Sequence, residues 1–278
     1  MNMIPAFQAA VSPYSWELEH LWAPLILLSV YFLCIGPLRR FFPNSAPVSL
    51  LKIQLFVFGI ILTIVAVVSP VEMLSVYLLT MHMIQHLIIT MLAVPLMIVG
   101  TPRWFWSAVF SIPGVLPIAK LIFNPIAGFL VFNMIFSLWH IPRYYDLALT
   151  DPAVHQREHI MFFFAAVMSW WPVFSTSVEI PRLSDPLLIV YLFLQSLPPT
   201  ILGAVITFAG DILYPSYASA PRLWGLSAEL DQQIGGLIMW MPGALVYLTV
   251  LSWIFFRWLN RGEHERSEDH YSPAMHAD

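Results

Sequence analysis

Seven stretches of the chain are almost continuously apolar, and short segments rich in proline and charge separate them. They run over residues 21–38, 51–69, 74–99, 122–140, 160–178, 187–208 and 234–258. Each is close to the ~20 apolar residues that an α-helix needs to cross the hydrocarbon core. Prolines mark the ends: Pro37, Pro43 and Pro47 after the first run, Pro70, Pro102 and Pro142 after the next three. The stretch 111–120, with Pro113 and Pro117, reads as interfacial. The pattern predicts an all-α integral membrane protein, a bundle of about seven transmembrane helices over residues 1–262. A short polar tail, 263–278, follows.

Composition agrees. Of 278 residues, 59% are hydrophobic and 10% charged, where a soluble domain carries roughly a quarter charged residues. The net charge of −4 and the lack of a basic block speak against nucleic acid as a partner. The single Cys34 rules out a disulfide framework or a Cys-x-x-Cys motif. Residues 1–19 have no basic n-region and carry Glu17 and Glu19, so they make a poor signal peptide and the first span is expected to stay in place.

The basic residues orient the bundle. Of twelve Lys and Arg, nine fall on one side: Arg39, Arg40, Lys52, Arg103, Lys120, Arg182, Arg257, Arg261 and Arg266. Arg143, Arg157 and Arg222 fall on the other. Positive residues stay on the cytoplasmic side, which puts the N-terminus outside and the C-terminus in the cytoplasm.

The candidate chemistry is in the histidines. His264, His270 and His276 belong to the polar tail, and His20 stands beside Glu17 and Glu19, so these four read as solvated. The other five differ. His82 and His86 stand at i and i+4 in the third run, His140 closes the fourth, and His155 and His159, flanking Glu158, are again i and i+4. A spacing of four puts each pair on one helix face, about 6 Å apart along the axis. With alternating spans, all five lie in or above the outer half of the bilayer, His155 and His159 near the outer interface and His82 and His86 about 10 Å deeper. Imidazole is a common metal ligand, and polar groups at membrane depth face the bundle interior or a wet cavity. Ligation is weighed here against helix-to-helix hydrogen bonding, above all for His140.

Asp231 opens the seventh run, and Met239 lies on the same helix face, so the one is a candidate charged ligand and the other a soft one. Their ordinary readings are a helix cap and core packing. Met81, Met83 and Met161 carry the same ambiguity. Thioether beside imidazole suits copper, especially Cu(I), better than zinc or iron.

Several motifs occur together: 81–87 (Met-His-Met-Ile-Gln-His-Leu) with Pro95-Leu96 and Gly100-Thr101-Pro102; Trp139-His140-Ile141-Pro142 with Tyr144-Tyr145-Asp146; His155 with Glu158-His159; Trp170-Trp171-Pro172; and Asp231-Gln232-Gln233 with Gly235-Gly236 and Met239-Trp240. In this order and spacing they resemble the CtaG-like cytochrome c oxidase assembly factors, associated with caa-type haem-copper oxidases, from about Trp16 to Trp258. The resemblance implies a multi-pass protein of the bacterial cytoplasmic membrane that handles copper for the oxidase's catalytic subunit. It carries the family's histidine positions onto His82, His86, His140, His155 and His159.

The leading expectation is therefore a non-enzymatic metallochaperone. It would take copper from a donor outside the membrane, hold it in an outward-facing cluster, and pass it to the haem-copper oxidase catalytic subunit. The chain is also compatible with a homodimer. The alternatives are a membrane oxidoreductase that binds haem, with His86 and His159 as a bis-histidine pair, or di-iron, and a structural assembly scaffold or copper importer. Import has little support, because no Asp or Lys relay runs through the inner half of the spans.

Overall fold

The computed structural model describes residues 21–42 and 44–271, with side chains as far as Arg261. His20, Glu17, Glu19, Arg266 and the tail histidines His264, His270 and His276 lie outside the described side chains. Among the described residues every regular element is helical.

In chain order the helices are α1 (Trp22–Ile35), α2 (Leu50–Val68), α3 (Pro70–Ser75), α4 (Leu79–Leu87), α5 (Val94–Gly100), α6 (Arg103–Phe110), α7 (Val115–Ile122), α8 (Pro125–Trp139), α9 (Pro142–Thr150), α10 (Pro152–Phe174), α11 (Asp185–Thr207), α12 (Pro215–Ser219) and α13 (Ala228–Tyr271). A π-helical segment, Ile88–Ala93, joins α4 to α5. The three pieces form one 22-residue apolar stretch, Leu79–Gly100.

Four helical stretches are long and apolar enough to cross a membrane: α2, α4–α5, α11 and the 34-residue part Ala228–Arg261 of α13. Two bent pairs raise the number to six if each is one span: α6 with α7, at 119°, and α8 with α9, at 73°. The expected segments therefore shift. The third run does not begin at 74, because α3 is a separate turn of helix, started by Ser69, whose Oγ accepts from the Val71 N–H. The stretch read as interfacial falls on the sharply bent α6–α7 pair. The fifth run begins at 152 rather than 160: Asp151 caps α10 by accepting from the Ala153 and Val154 N–H groups, and Pro152 suits the first helical position. His155, Glu158 and His159 thus lie within the first two turns of the helix.

The Leu79–Gly100 stretch is the centre of the bundle, 61% buried against 28–33% for the other three. It packs on α2, α10 and α13, while α11 lies along α13. Close approach to α2 depends on glycine. A Cβ on Gly59 would stand 2.8 Å from the Ala93 carbonyl oxygen, and one on Gly100 would stand 2.6 Å from the Phe56 nitrogen. The π segment is held from α10, where the Trp170 indole N–H donates to the Thr90 carbonyl at 2.8 Å. The perimeter stays apolar: Leu130 and Met134 on α8, Ile201 and Val205 on α11, and Leu245 and Leu248 on α13 are exposed. Apolar rings of this kind suit lipid as the surrounding solvent.

Candidate metal centre

Three helices bring the site together. α4 supplies His82 and His86, α10 supplies His155, Glu158 and His159, and α3 supplies Glu72. All six are buried, between 0% and 7% exposed. The two i,i+4 pairs lie side by side: ring centroids are 4.3 Å apart within the first pair and 4.4 Å within the second. Across the helices His82 and His155 are 5.3 Å apart, and His86 and His159 5.6 Å. The expected 10 Å difference in depth is therefore absent. Because α4 starts at Leu79 and α10 at Pro152, the two pairs reach the same level.

Glu158 sits between the rings of the first pair. Its Oε1 is 3.4 Å from His86 Nε2 and 3.6 Å from His82 Nε2. Glu72 approaches from the other side, 3.3 Å from His155 Nδ1. Gln85, between the two α4 histidines, orients it: Gln85 Nε2 donates to Glu72 and also to the Ala66 carbonyl, the latter at 2.8 Å. Two triads result, Glu72–His155–His159 and His82–His155–Glu158, each with one atom per residue within 4.8 Å of the others.

The donor chemistry fits a cation. Both ring nitrogens of His82 and of His86, Nε2 of His159, and Oε2 of Glu158 are buried without a hydrogen-bond partner. Unpaired polar atoms at membrane depth cost several kcal/mol each, and several lone pairs aimed into one space can be met together by one or two metal ions. Two carboxylates with four imidazoles make a hard-to-borderline set. It matches a divalent ion better than imidazole with the Met239 thioether, the soft combination that the sequence suggests, would do.

An aromatic roof closes one side. Tyr145 stands 4.8 Å from His82, ring to ring. Its hydroxyl lies 3.2 Å from that of Tyr217, which donates to the Ser75 carbonyl at 2.7 Å. Burial pushes the Tyr217 hydroxyl well above its ordinary pKa, so it remains a donor.

The remaining predicted residues go elsewhere. Asp231 does not reach the triads. Its carboxylate accepts from the Leu79 N–H at 2.7 Å and the Thr80 N–H at 3.1 Å, so it caps α4 from α13. The first N–H groups of a helix have no partner within it, and buried ones need an acceptor. Asp231 thus fixes the helix that carries His82 and His86. His140 ends α8, with Nδ1 2.7 Å from the Phe136 carbonyl. It lines a small internal cavity with His86 and Met239. Met81 packs beside Leu74, Leu78 and Leu223, outside the cluster.

Sequence reasoning missed Glu72 and gave Glu158 no role. A signal for both exists in hindsight: an acid within a strongly apolar neighbourhood is costly unless it has a specific partner.

The family model for the cytochrome c oxidase caa3 assembly factor (Caa3_CtaG) matches residues 29–261, most of the chain and every residue of the cluster. The chain belongs to this family. No match was found among curated proteins or among solved structures. The CtaG-like resemblance of the motifs is thereby borne out, and assembly of cytochrome c oxidase is the family's role.

Proposed function

We propose that this Caa3_CtaG-family protein binds copper at the Glu72/His82/His86/His155/Glu158/His159 cluster and delivers it to the catalytic subunit of a haem-copper oxidase. One observation carries this reading: two buried carboxylate–histidine triads share His155, and the ring nitrogens of His82 and His86 and Nε2 of His159 beside it have no hydrogen-bond partner. Every donor comes from one chain, so a second copy is not needed to complete the site.

In this reading the protein is a metallochaperone rather than an enzyme, set in the bacterial cytoplasmic membrane with its N-terminus outside. Seven crossings result if α1 and α10 cross, α8–α9 crosses once, and α6–α7 returns to the side it left. The cluster lies near the start of α10, and Arg182, Arg257 and Arg261 gather past its far end. A 23-residue helix spans about 35 Å, so the positive-inside rule puts the cluster on the outer side. Copper then comes from a donor outside the membrane.

The test is copper content of the purified protein beside a His82→Ala/His86→Ala variant, read with oxidase activity in the same cells. Copper and oxidase activity should fall together; equal copper in both proteins would sink the site. A second reading, a di-iron oxidoreductase, is favoured by the two carboxylates around a shared histidine. Iron rather than copper in the purified protein would select it.

A further inference from the structure

Just beyond the cluster, on the far side of His86, lies an internal cavity of about 20 Å³. A void needs roughly 10–15 Å³ on this measure to hold one water-sized body, so the cavity takes a single small occupant. Its wall carries three thioethers, Met83, Met91 and Met239, and two imidazoles, His86 and His140. The thioethers are buried, at 2%, 5% and 3% exposure, and come from three parts of the molecule: α4, the π segment that follows it, and α13.

The His140 ring is set as a metal ligand is usually set. Nδ1 lies 2.7 Å from the Phe136 carbonyl and must donate to it. The proton is then on Nδ1, and Nε2 is left with a bare lone pair. That Nε2 is buried and has no hydrogen-bond partner. An Nδ1–H held by a backbone carbonyl, with Nε2 directed elsewhere, is the arrangement that orients ligating histidines.

Methionines often fill irregular core space, and each of these three alone would be read so. Their convergence with two imidazoles on one ion-sized void is what differs. No carboxylate lines this cavity, whereas the neighbouring cluster has two. Neutral donors bury a single positive charge at much less cost than a double one. Thioether sulfur also selects soft ions over hard ones.

We infer that this cavity is a second metal site, separate from the carboxylate–histidine cluster, which takes a soft monovalent ion of the Cu(I) class through Met83, Met91, Met239 and His140. His86 forms the wall between the two sites. The pair sorts ions by charge: divalent ions beside Glu72 and Glu158, monovalent soft ions among the thioethers. The inference goes beyond the proposed function and fails or stands separately from it.

The test uses the full chain with Cys34→Ala, purified in detergent, so that no thiol competes. Ag(I) serves as the soft, redox-inert probe and Co(II) as the divalent one. Met83→Leu/Met239→Leu is close to volume-conserving. It should weaken Ag(I) binding at least tenfold and leave Co(II) binding unchanged, while Glu158→Gln should do the reverse. Ag(I) affinity equal in the wild type and in the Met→Leu variant overturns the second site, as does Ag(I) binding that is lost only with Glu158. Loss of Co(II) binding in every protein, with Ag(I) still sensitive to the methionines, overturns the outer cluster and leaves the inner site standing. Should the double variant not fold, X-ray absorption of the Cu(I)-loaded Cys34→Ala protein and of each single Met→Leu variant decides. A sulfur shell diminished by Met83→Leu or Met239→Leu is expected; a shell of nitrogen and oxygen alone overturns the site.

Discussion

Two buried carboxylates, Glu158 and Asp185, stand at opposite ends of α10 and are treated in opposite ways. Asp185 opens α11 and is met by three guanidinium groups: Arg257 at 2.7 Å, Arg182 at 2.8 Å and Arg261 at 3.2 Å. Both of its oxygens are engaged. Glu158 has only imidazoles at 3.4 and 3.6 Å, and its Oε2 has no partner. The first is a finished knot that ties the 182–185 turn to α13. The second is a set of lone pairs brought together and left open. The difference separates a residue kept for architecture from one kept for chemistry, although both are acids in apolar surroundings.

Glu158 and Asp185 should therefore respond to substitution in opposite ways. Glu158→Gln should reduce bound divalent metal to background, measured by elemental analysis, while the thermal midpoint of the metal-free protein stays within a few degrees. An amide replaces a carboxylate that had no cation to pair with, so little folding energy is lost. Asp185→Ala should do the opposite, leaving metal content intact and lowering stability by about 2–3 kcal/mol. That is below the usual cost of breaking a buried pair, because the three arginines reach water. If Asp185→Ala also strips the metal, the two ends are coupled and the distinction fails.

Asp231→Ala should fall between these two. It removes the cap on α4, at a cost of about 1–2 kcal/mol, and should weaken metal binding severalfold by loosening the helix that bears His82 and His86. A metal affinity unchanged by this substitution would show that α4 is positioned without its cap. The smallest effect belongs to Met81→Leu, within about 0.5 kcal/mol and with no change in either probe ion. Its side chain packs outside the cluster, so a loss of Co(II) or Ag(I) binding would contradict the geometry.

Much of this was legible in the sequence, for physical reasons that differ from residue to residue. Helical spacing alone places His82 with His86, and His155 with His159, because four residues make about one turn. Apolar runs reveal α2, the Leu79–Gly100 stretch, α11 and α13, since the bilayer demands length and apolarity together. The beginning of α10 was hidden because its first turns carry His155, Arg157, Glu158 and His159, and hydropathy reads such a stretch as a loop. Glu72 was hidden because its value depends on a fold that returns α10 to α3. The Asp231 cap joins residues about 150 positions apart, and no local pattern carries that information. Family resemblance supplied the oxidase, whereas only the packing separates a carboxylate-bearing cluster from a thioether-lined cavity.

The π segment between α4 and α5 has a consequence for how this gene can change. Its wider turn is closed by the Val94 N–H reaching back to the Ile89 carbonyl. Above it are His82 and His86; below it Met97 packs with Tyr31, Phe56 and Ile60, and Gly100 touches α2. Loss of a single codon within 88–93 would tighten the turn and rotate one half against the other by about 100°. Either the histidines leave Glu158, or Met97 and Gly100 leave α2. Descendants of this chain can therefore exchange side chains along the central helix freely by comparison with its length, which is fixed to the residue.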